Sequence, residues 1–211
     1  MTSTARTRMR AVFLAALMVL SVVAISGAFA GSAAAQEVDP ADYDYAVNQS
    51  SLPDGVSESD FNETYDDISA AVDAVDQSNT TLLVFKGDYS ESIQISQSSD
   101  LEKIESYAGA DETAIEDGVT IEADDVAING FNITNPDGSF GVSALGVSNV
   151  EIASNTIHDI GTGISGTAQA VYLQDSTGEV ANNDIDSVAE DNEGSSKGVF
   201  VGDSTEKLTE P

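Results

Sequence analysis

Side chains able to move a proton or hold a cation are few in kind. The single histidine, His158, stands beside Asp159, and Asp184 and Asp186 follow with one residue between them. A histidine within reach of carboxylates is the material of general acid/base chemistry, in which one group gives the proton that another takes. A repeat of 28 residues sets His158 and Asp186 at equivalent positions, as adjacent layers of one face would require. The plainer reading is that these residues follow an inward isoleucine at the end of a strand, where polar turn residues belong. His158, Asp184 and Asp186 are therefore weak catalytic candidates, and no catalytic residue is assigned.

Oxygen ligands are abundant. Asp124, Asp125, Asp175, Asp184, Asp186 and Asp203 carry the donors that calcium prefers. No Gly-Gly-x-Gly-x-Asp repeat organises them, and scattered acids on so acidic a chain are usually solvated, so no metal and no cofactor are expected, calcium being the one cation weighed. Methionines occur only at Met1, Met9 and Met18, which leaves His158 without soft partners for a copper site. Cysteine is absent, so there is no disulfide framework and no thiolate zinc site. Four Asn-x-Ser/Thr sequons, at Asn48, Asn62, Asn79 and Asn132, are candidate glycan acceptors on an exported chain. Asn132 falls within a strand pattern and needs an outward side chain to serve.

The chain of 211 residues carries 37 acids against 7 basic residues, a formal charge of −30. A nucleic-acid or anionic-membrane binder needs a basic patch, so those partners are excluded. Arg6, Arg8 and Arg10 hold three of the positive charges, and no acid precedes Glu37. From Gln36 onward, 37 acids face four lysines (Lys86, Lys103, Lys197, Lys207), a net −33 without arginine. Residues 1–35 read as an export signal: basic start, apolar run from Ala11 to Ala30, and the small-residue stretch Gly31 to Ala35 before a cleavage point. The arginines do not form a pair, which favours the general secretory route. No membrane span is expected once the signal is removed.

The wording of this leader, from Arg8-Met-Arg-Ala-Val-Phe to Gly27-Ala-Phe-Ala-Gly-Ser-Ala-Ala-Ala35, resembles the signal peptides of haloarchaeal surface glycoproteins of the S-layer type. The resemblance implies a secreted or cell-surface, extracellular location in brine. It agrees with the acidic body, since carboxylates hold water and cations where lysine-rich surfaces would salt out.

Residues 36–59 are polar and acidic, with Pro40, Pro53 and Gly55 and no sustained period, and read as a linker. Over 60–78, Asp60 and Glu63 form a capping-box pattern, and Phe61, Tyr65, Ile68, Val72 and Val75 recur at helical steps, predicting one amphipathic helix. A buried strand Thr80–Phe85, a turn Lys86-Gly-Asp-Tyr89 and an alternating strand Ser92–Ser96 follow. This order resembles the opening of right-handed parallel β-helix proteins of the pectin lyase-like, pectinesterase-like and carbohydrate-binding/sugar-hydrolase kind. There a helix caps the first coil and a strand ends in a Gly-x-Tyr-x-Glu turn, here Gly87-Asp-Tyr-Ser-Glu91. In those families the glycine serves backbone geometry and the tyrosine packing, so Gly87 and Tyr89 imply fold rather than activity.

Internal repetition carries the fold prediction furthest. Val126–Thr134, Val150–His158 and Gly178–Asp186 align without gaps at offsets of 24 and 28 residues, and Ala170–Thr177 repeats as Gly198–Thr205. Ile128, Ile152 and Val180 then fall in one column, and Ile133, Ile157 and Ile185 in another. Such coils cannot bury their inward side chains alone, so neighbours must stack at about 4.8 Å per coil. Asn155 and Asn183 occupy equivalent turns, where they can accept a left-handed backbone and stack as an asparagine ladder. Val188–Ser196 is an acidic excursion, and Leu208 to Pro211 breaks off partway through a coil, which predicts an incomplete solenoid.

The expected protein is all-β: a right-handed, single-stranded parallel β-helix of about five coils over 80–211 with an N-terminal capping helix. The family resemblance leaves function open, and what each activity of these families requires can be checked. Lyases and esterases of this fold use an arginine, and the mature chain has none. The leading expectation is therefore a non-enzymatic, halophilic surface glycoprotein that adheres to cell-surface glycans or other surface proteins. The alternative is a truncated or degenerate polysaccharide-acting enzyme of the pectin-modifying kind.

Overall fold

The computed structural model describes residues 38–75, 79–189 and 195–202. The predicted signal at 1–35, Lys207, Asp203 and the chain end lie outside the described residues. Two strands and a helix precede the coils: β1 (Tyr45–Val47), β2 (Glu63–Tyr65) and α1 (Ile68–Ala74). Fifteen strands follow in threes. They are β3 (Thr80–Val84), β4 (Gly87–Tyr89) and β5 (Ile93–Ile95), then β6 (Leu101–Ser106), β7 (Thr113–Ile115) and β8 (Val119–Ile121). Next come β9 (Ala127–Asn129), β10 (Asn132–Asn135) and β11 (Phe140–Leu145), then β12 (Val150–Ala153), β13 (Thr156–Ile160) and β14 (Ala168–Gln174). The last trio is β15 (Gly178–Ala181), β16 (Asp184–Ile185) and β17 (Ser196–Gly202).

Each trio gives one strand to each of three sheets, and every ladder is parallel. The first sheet runs β15-β12-β9-β6-β3-β1-β2, the second β16-β13-β10-β7-β4, and the third β17-β14-β11-β8-β5. The fold is an all-β, right-handed parallel β-helix of about four turns, with β15–β17 beginning the next. The repeat columns hold residue for residue: Ile128 pairs with Ile152 and Ile152 with Val180 in the first sheet. Ile133, Ile157 and Ile185 do the same in the second. These side chains fill one continuous core, and each isoleucine removed from water contributes about 1.5–3 kcal/mol.

The corner between the first and second sheets is held by asparagine. Asn155, 1% exposed, accepts from the Phe131 amide at 2.9 Å and donates to Ile128 O at 3.0 Å. It also donates to Asn183 Oδ1 at 3.0 Å, and Asn183 repeats the pattern on Ile152 O at 2.7 Å. The predicted ladder is present, but the left-handed residues are the preceding ones, Ser154 (φ 58) and Asn182 (φ 55). The division of labour follows from chemistry: the ladder amide must point inward to reach carbonyls above and below, and only its neighbour is free to reverse the chain.

The N-terminal region departs from expectation. Residues 36–59 were expected to form a linker, yet β1 inserts between β2 and β3, and Val38, Leu52 and Val56 pack with Tyr43, Phe61, Leu83 and Phe85 outside the first sheet. The helix predicted over 60–78 is confined to Ile68–Ala74. Glu63–Tyr65 pairs with β1 instead, because an unfilled parallel edge offers more hydrogen bonds than a helix end in water. The capping box lies earlier, between Ser57 and Asp60, on a single 3-10 turn. Helix α1 still closes the end of the core through Ile68, Ala71 and Val72. Its first amides are capped from the coils: Glu91 accepts from Ile68 N at 2.8 Å and Ser69 N at 2.9 Å.

The Gly-x-Tyr-x-Glu turn thus ties helix to solenoid. Tyr89 is fully buried, its hydroxyl donating to Phe85 O at 2.9 Å, and burial pushes its phenol above the ordinary range. Gly87 lies outside the left-handed region; the space beside it is tight, since a Cβ there would meet Gln49 Oε1 at 3.1 Å and the Tyr89 ring at 3.3 Å.

Candidate functional site

The second sheet places the proposed proton carriers. Thr134 pairs with His158, Thr156 pairs with Asp184, and Ile157 pairs with Ile185, so Asp186 follows opposite His158 on the next coil. The register brings His158, Asp184 and Asp186 to one outer face. His158 Nδ1 is engaged by its neighbour Asp159 at 2.7 Å, and Asp186 accepts from the Ser187 amide at 2.7 Å. Both aspartates are exposed.

The acids weighed for calcium are spread along the coils and used locally. Asp124 accepts from Ser148 N at 2.6 Å, and Asp125 from Asn149 Nδ2 at 2.8 Å. Among the described residues no three His, Asp or Glu side chains converge as a metal would need. A surface hollow of about 350 Å³ is lined by Gln97, Glu122, Ala123, Asp124, Gly146 and Val147, which is open and weakly walled. Of the sequon residues, Asn62 and Asn79 are exposed, while Asn48 closes a turn by accepting from Ser50 N at 3.3 Å. Asn132 is half-buried on β10, with its side-chain oxygen sealed from solvent.

The third sheet carries a feature that sequence reasoning missed. Its five strands, β5, β8, β11, β14 and β17, contain no Asp or Glu. Acids do occur on the other two: Glu63, Glu102, Glu105, Glu151 and Glu179 on the first, and Asp88, Asp159 and Asp184 on the second. One column along the third sheet reads Gln94, Thr120, Ser143, Tyr172 and Phe200. Beside it Phe140, Gln169 and Lys197 share a register position, and Leu145 lies next to Gln174, with Leu145 38% exposed.

Three rings of this face stack in series. Phe140 and Tyr172 lie 4.7 Å apart at 20°, and Tyr172 and Phe200 5.3 Å apart at 8°. Lys197 Nζ sits 4.1 Å from the Phe200 ring centre, a cation–π contact. Because the rings cover one another's faces, they present edges to solvent, as a half-exposed ridge across three coils. Tyr172 donates to Gln174 Oε1 at 2.6 Å, Ser143 to Thr120 Oγ1 at 3.1 Å, and Gln94 to Glu122 at 3.3 Å. Gln169 is 7% exposed, and its Oε1 has no hydrogen-bond partner among the described residues.

One margin of the ridge is raised by the loops that join the second sheet to the third. Residues 135–139 and 161–167 are bonded to each other, Gly161 N donating to Asn135 O at 2.9 Å and Gly163 N to Pro136 O at 2.8 Å. Asn135 Nδ2 reaches Phe140 O at 2.7 Å, so this margin also positions the first ring. Gly161, at φ +70, must be glycine: a Cβ would stand 2.4 Å from Ala168 Cβ.

The signal for this face was present in the sequence as the aligned segments Ala170–Thr177 and Gly198–Thr205. What hid it was the third coil, where Phe140 enters three residues out of register with Tyr172 and joins the stack only through its side chain.

Comparison with known proteins adds little. No protein-family model matches the chain, and no curated protein matches it. Among solved structures it is similar to a pectin methylesterase, an aspartate-to-alanine variant in complex with a hexasaccharide. The identity is 14% and the TM-score 0.49, over 68% of this chain and 49% of that one. The chain thus spans about half the length of that structure. The β-helix assignment rests on the strand register itself and not on that likeness.

Proposed function

We propose that this chain is an exported, salt-adapted surface protein whose β-helix binds glycan chains, without catalysis, along the outer face of its third sheet. The observation that supports this is the contrast in charge: a chain of net −30 keeps all acids off five adjacent strands and sets there a ridge of Phe140, Tyr172 and Phe200 with amides and hydroxyls beside it. An acid-free, aromatic, hydrogen-bonding strip stands apart from the rest of a polyanion, and a contiguous ridge of half-exposed rings of that kind is a candidate interaction surface. Sugars suit it, since the strip of ring edges gives their C–H groups van der Waals contact while the neighbouring amides and hydroxyls meet their own hydroxyls. Coil spacing of about 4.8 Å is close to the length of one pyranose unit, so a polysaccharide lying along the solenoid axis would set about one sugar on each coil. The acidic body and basic leader support export into brine.

The test is retention of the whole chain on immobilised polysaccharides in molar KCl. Tyr172→Ala and Phe200→Ala should each weaken retention about tenfold, and Glu151→Gln, on the first sheet, should leave it unchanged. Retention on no polysaccharide, or equal losses from both faces, would reject the reading.

A further inference from the structure

We infer that the glycan taken by the third sheet is a neutral, hydroxyl-rich polymer and not a polyuronate. The inference rests on the glycan-binding reading and names the chemical class of its ligand.

Charge counting decides between the classes. A polyuronate laid along the coils brings one carboxylate per sugar, and each needs a cation or a set of donors where water is displaced. On the described part of this face the only cation is Lys197, already drawn over the Phe200 ring at 4.1 Å. Lys86 and Lys103 belong elsewhere, beside Glu112 and Glu105. The first four coils place Gln94, Thr120, the buried Ser143 and Tyr172 in sequence, none of them charged. Glu122, held by Gln94, and exposed Asp175, directly after Gln174, add like charges at the far margin.

Hydrogen-bond polarity points the same way. The Tyr172 proton is committed to Gln174, which leaves the phenol oxygen as an acceptor facing the ligand. Gln169, at the register position between Phe140 and Lys197, is buried with its side-chain oxygen sealed from solvent, so the ligand-facing acceptor here is the Tyr172 oxygen. An ionised carboxylate only accepts, whereas a sugar hydroxyl both donates and accepts. A neutral sugar hydroxyl can donate to the Tyr172 oxygen; a uronate carboxylate cannot, and is repelled by it.

The experiment compares binding of the whole chain to soluble mannan and β-glucan with binding to polygalacturonate of matched length, in molar KCl. The expected result is at least tenfold tighter binding of one of the neutral polymers. The double variant Glu122→Gln, Thr120→Lys, checked by circular dichroism for an unchanged β spectrum, should shift the preference toward polygalacturonate by about tenfold. Polygalacturonate bound as tightly as the neutral polymers by the unaltered chain, or a preference unmoved in a folded double variant, would overturn the neutral class while leaving glycan binding in place. Binding of no polymer would overturn the glycan reading itself and this inference with it.

Discussion

Asn155 shows how much a single side chain can carry in a solenoid. Its amide joins three coils at once, through Phe131, Ile128 and Asn183, in a corner where water cannot replace a lost partner. Asn155→Ala should therefore destabilise by about 2–4 kcal/mol, since several buried groups lose their partners together. Chemical unfolding in molar salt reads this directly. Asn183→Ala, in the half-buried last coil, should fall well short of it, and equal effects would show that the ladder acts by something other than buried hydrogen bonding. Asn155 was legible in the sequence because it recurs at a fixed offset. Gln169 was not, because its neighbours Phe140 and Lys197 share neither its chemistry nor its size.

Among elements, α1 is the instructive case. Seven residues cannot form a stable helix alone, and Asp67 at its N-cap makes no side-chain cap bond. The cap comes from Glu91, whose two oxygens take the Ile68 and Ser69 amides. Glu91→Ala should cost about 1 kcal/mol and expose the Ile68–Val72 end of the core, raising amide exchange first in α1 and β5. Unchanged exchange there, with lowered stability elsewhere, would assign Glu91 another role. The periodicity of Ile68, Val72 and Val75 correctly placed a helix near the first coil. The same count extended it too far, because Phe61 and Tyr65 fit the period yet are claimed by the outer cluster and by β2.

At the scale of the whole molecule the charge dominates. From Gln36 onward 37 carboxylates face four lysines, so the native state confines like charges that an unfolded chain would separate. Salt at about 1 M shortens the screening length to about 3 Å, against about 10 Å at 0.1 M. Dialysis from molar KCl into dilute buffer should therefore lower the melting temperature steeply and abolish the β spectrum at the low-salt limit. A melting temperature indifferent to salt would remove the adaptation to brine from the proposed function. Among the described residues no helix is long and apolar enough to cross a membrane, and the coils close through side chains that β-branching suits to a pleated surface.

The sequence by itself determined the coil: repeat spacing, inward isoleucines and the asparagine turn are all local in a solenoid, where each residue meets its own counterpart one turn away. It also determined the sign of the surface, which composition alone fixes. Only the tertiary structure decided how that charge is distributed. Three faces alternate along the chain every few residues, so a linear count averages them, and the acid-free third sheet emerges only when strands 23 to 29 residues apart are laid side by side. The aromatic ridge depends on the same step, since Phe140 reaches Tyr172 by the lean of its side chain across the ladder and not by its place in the repeat.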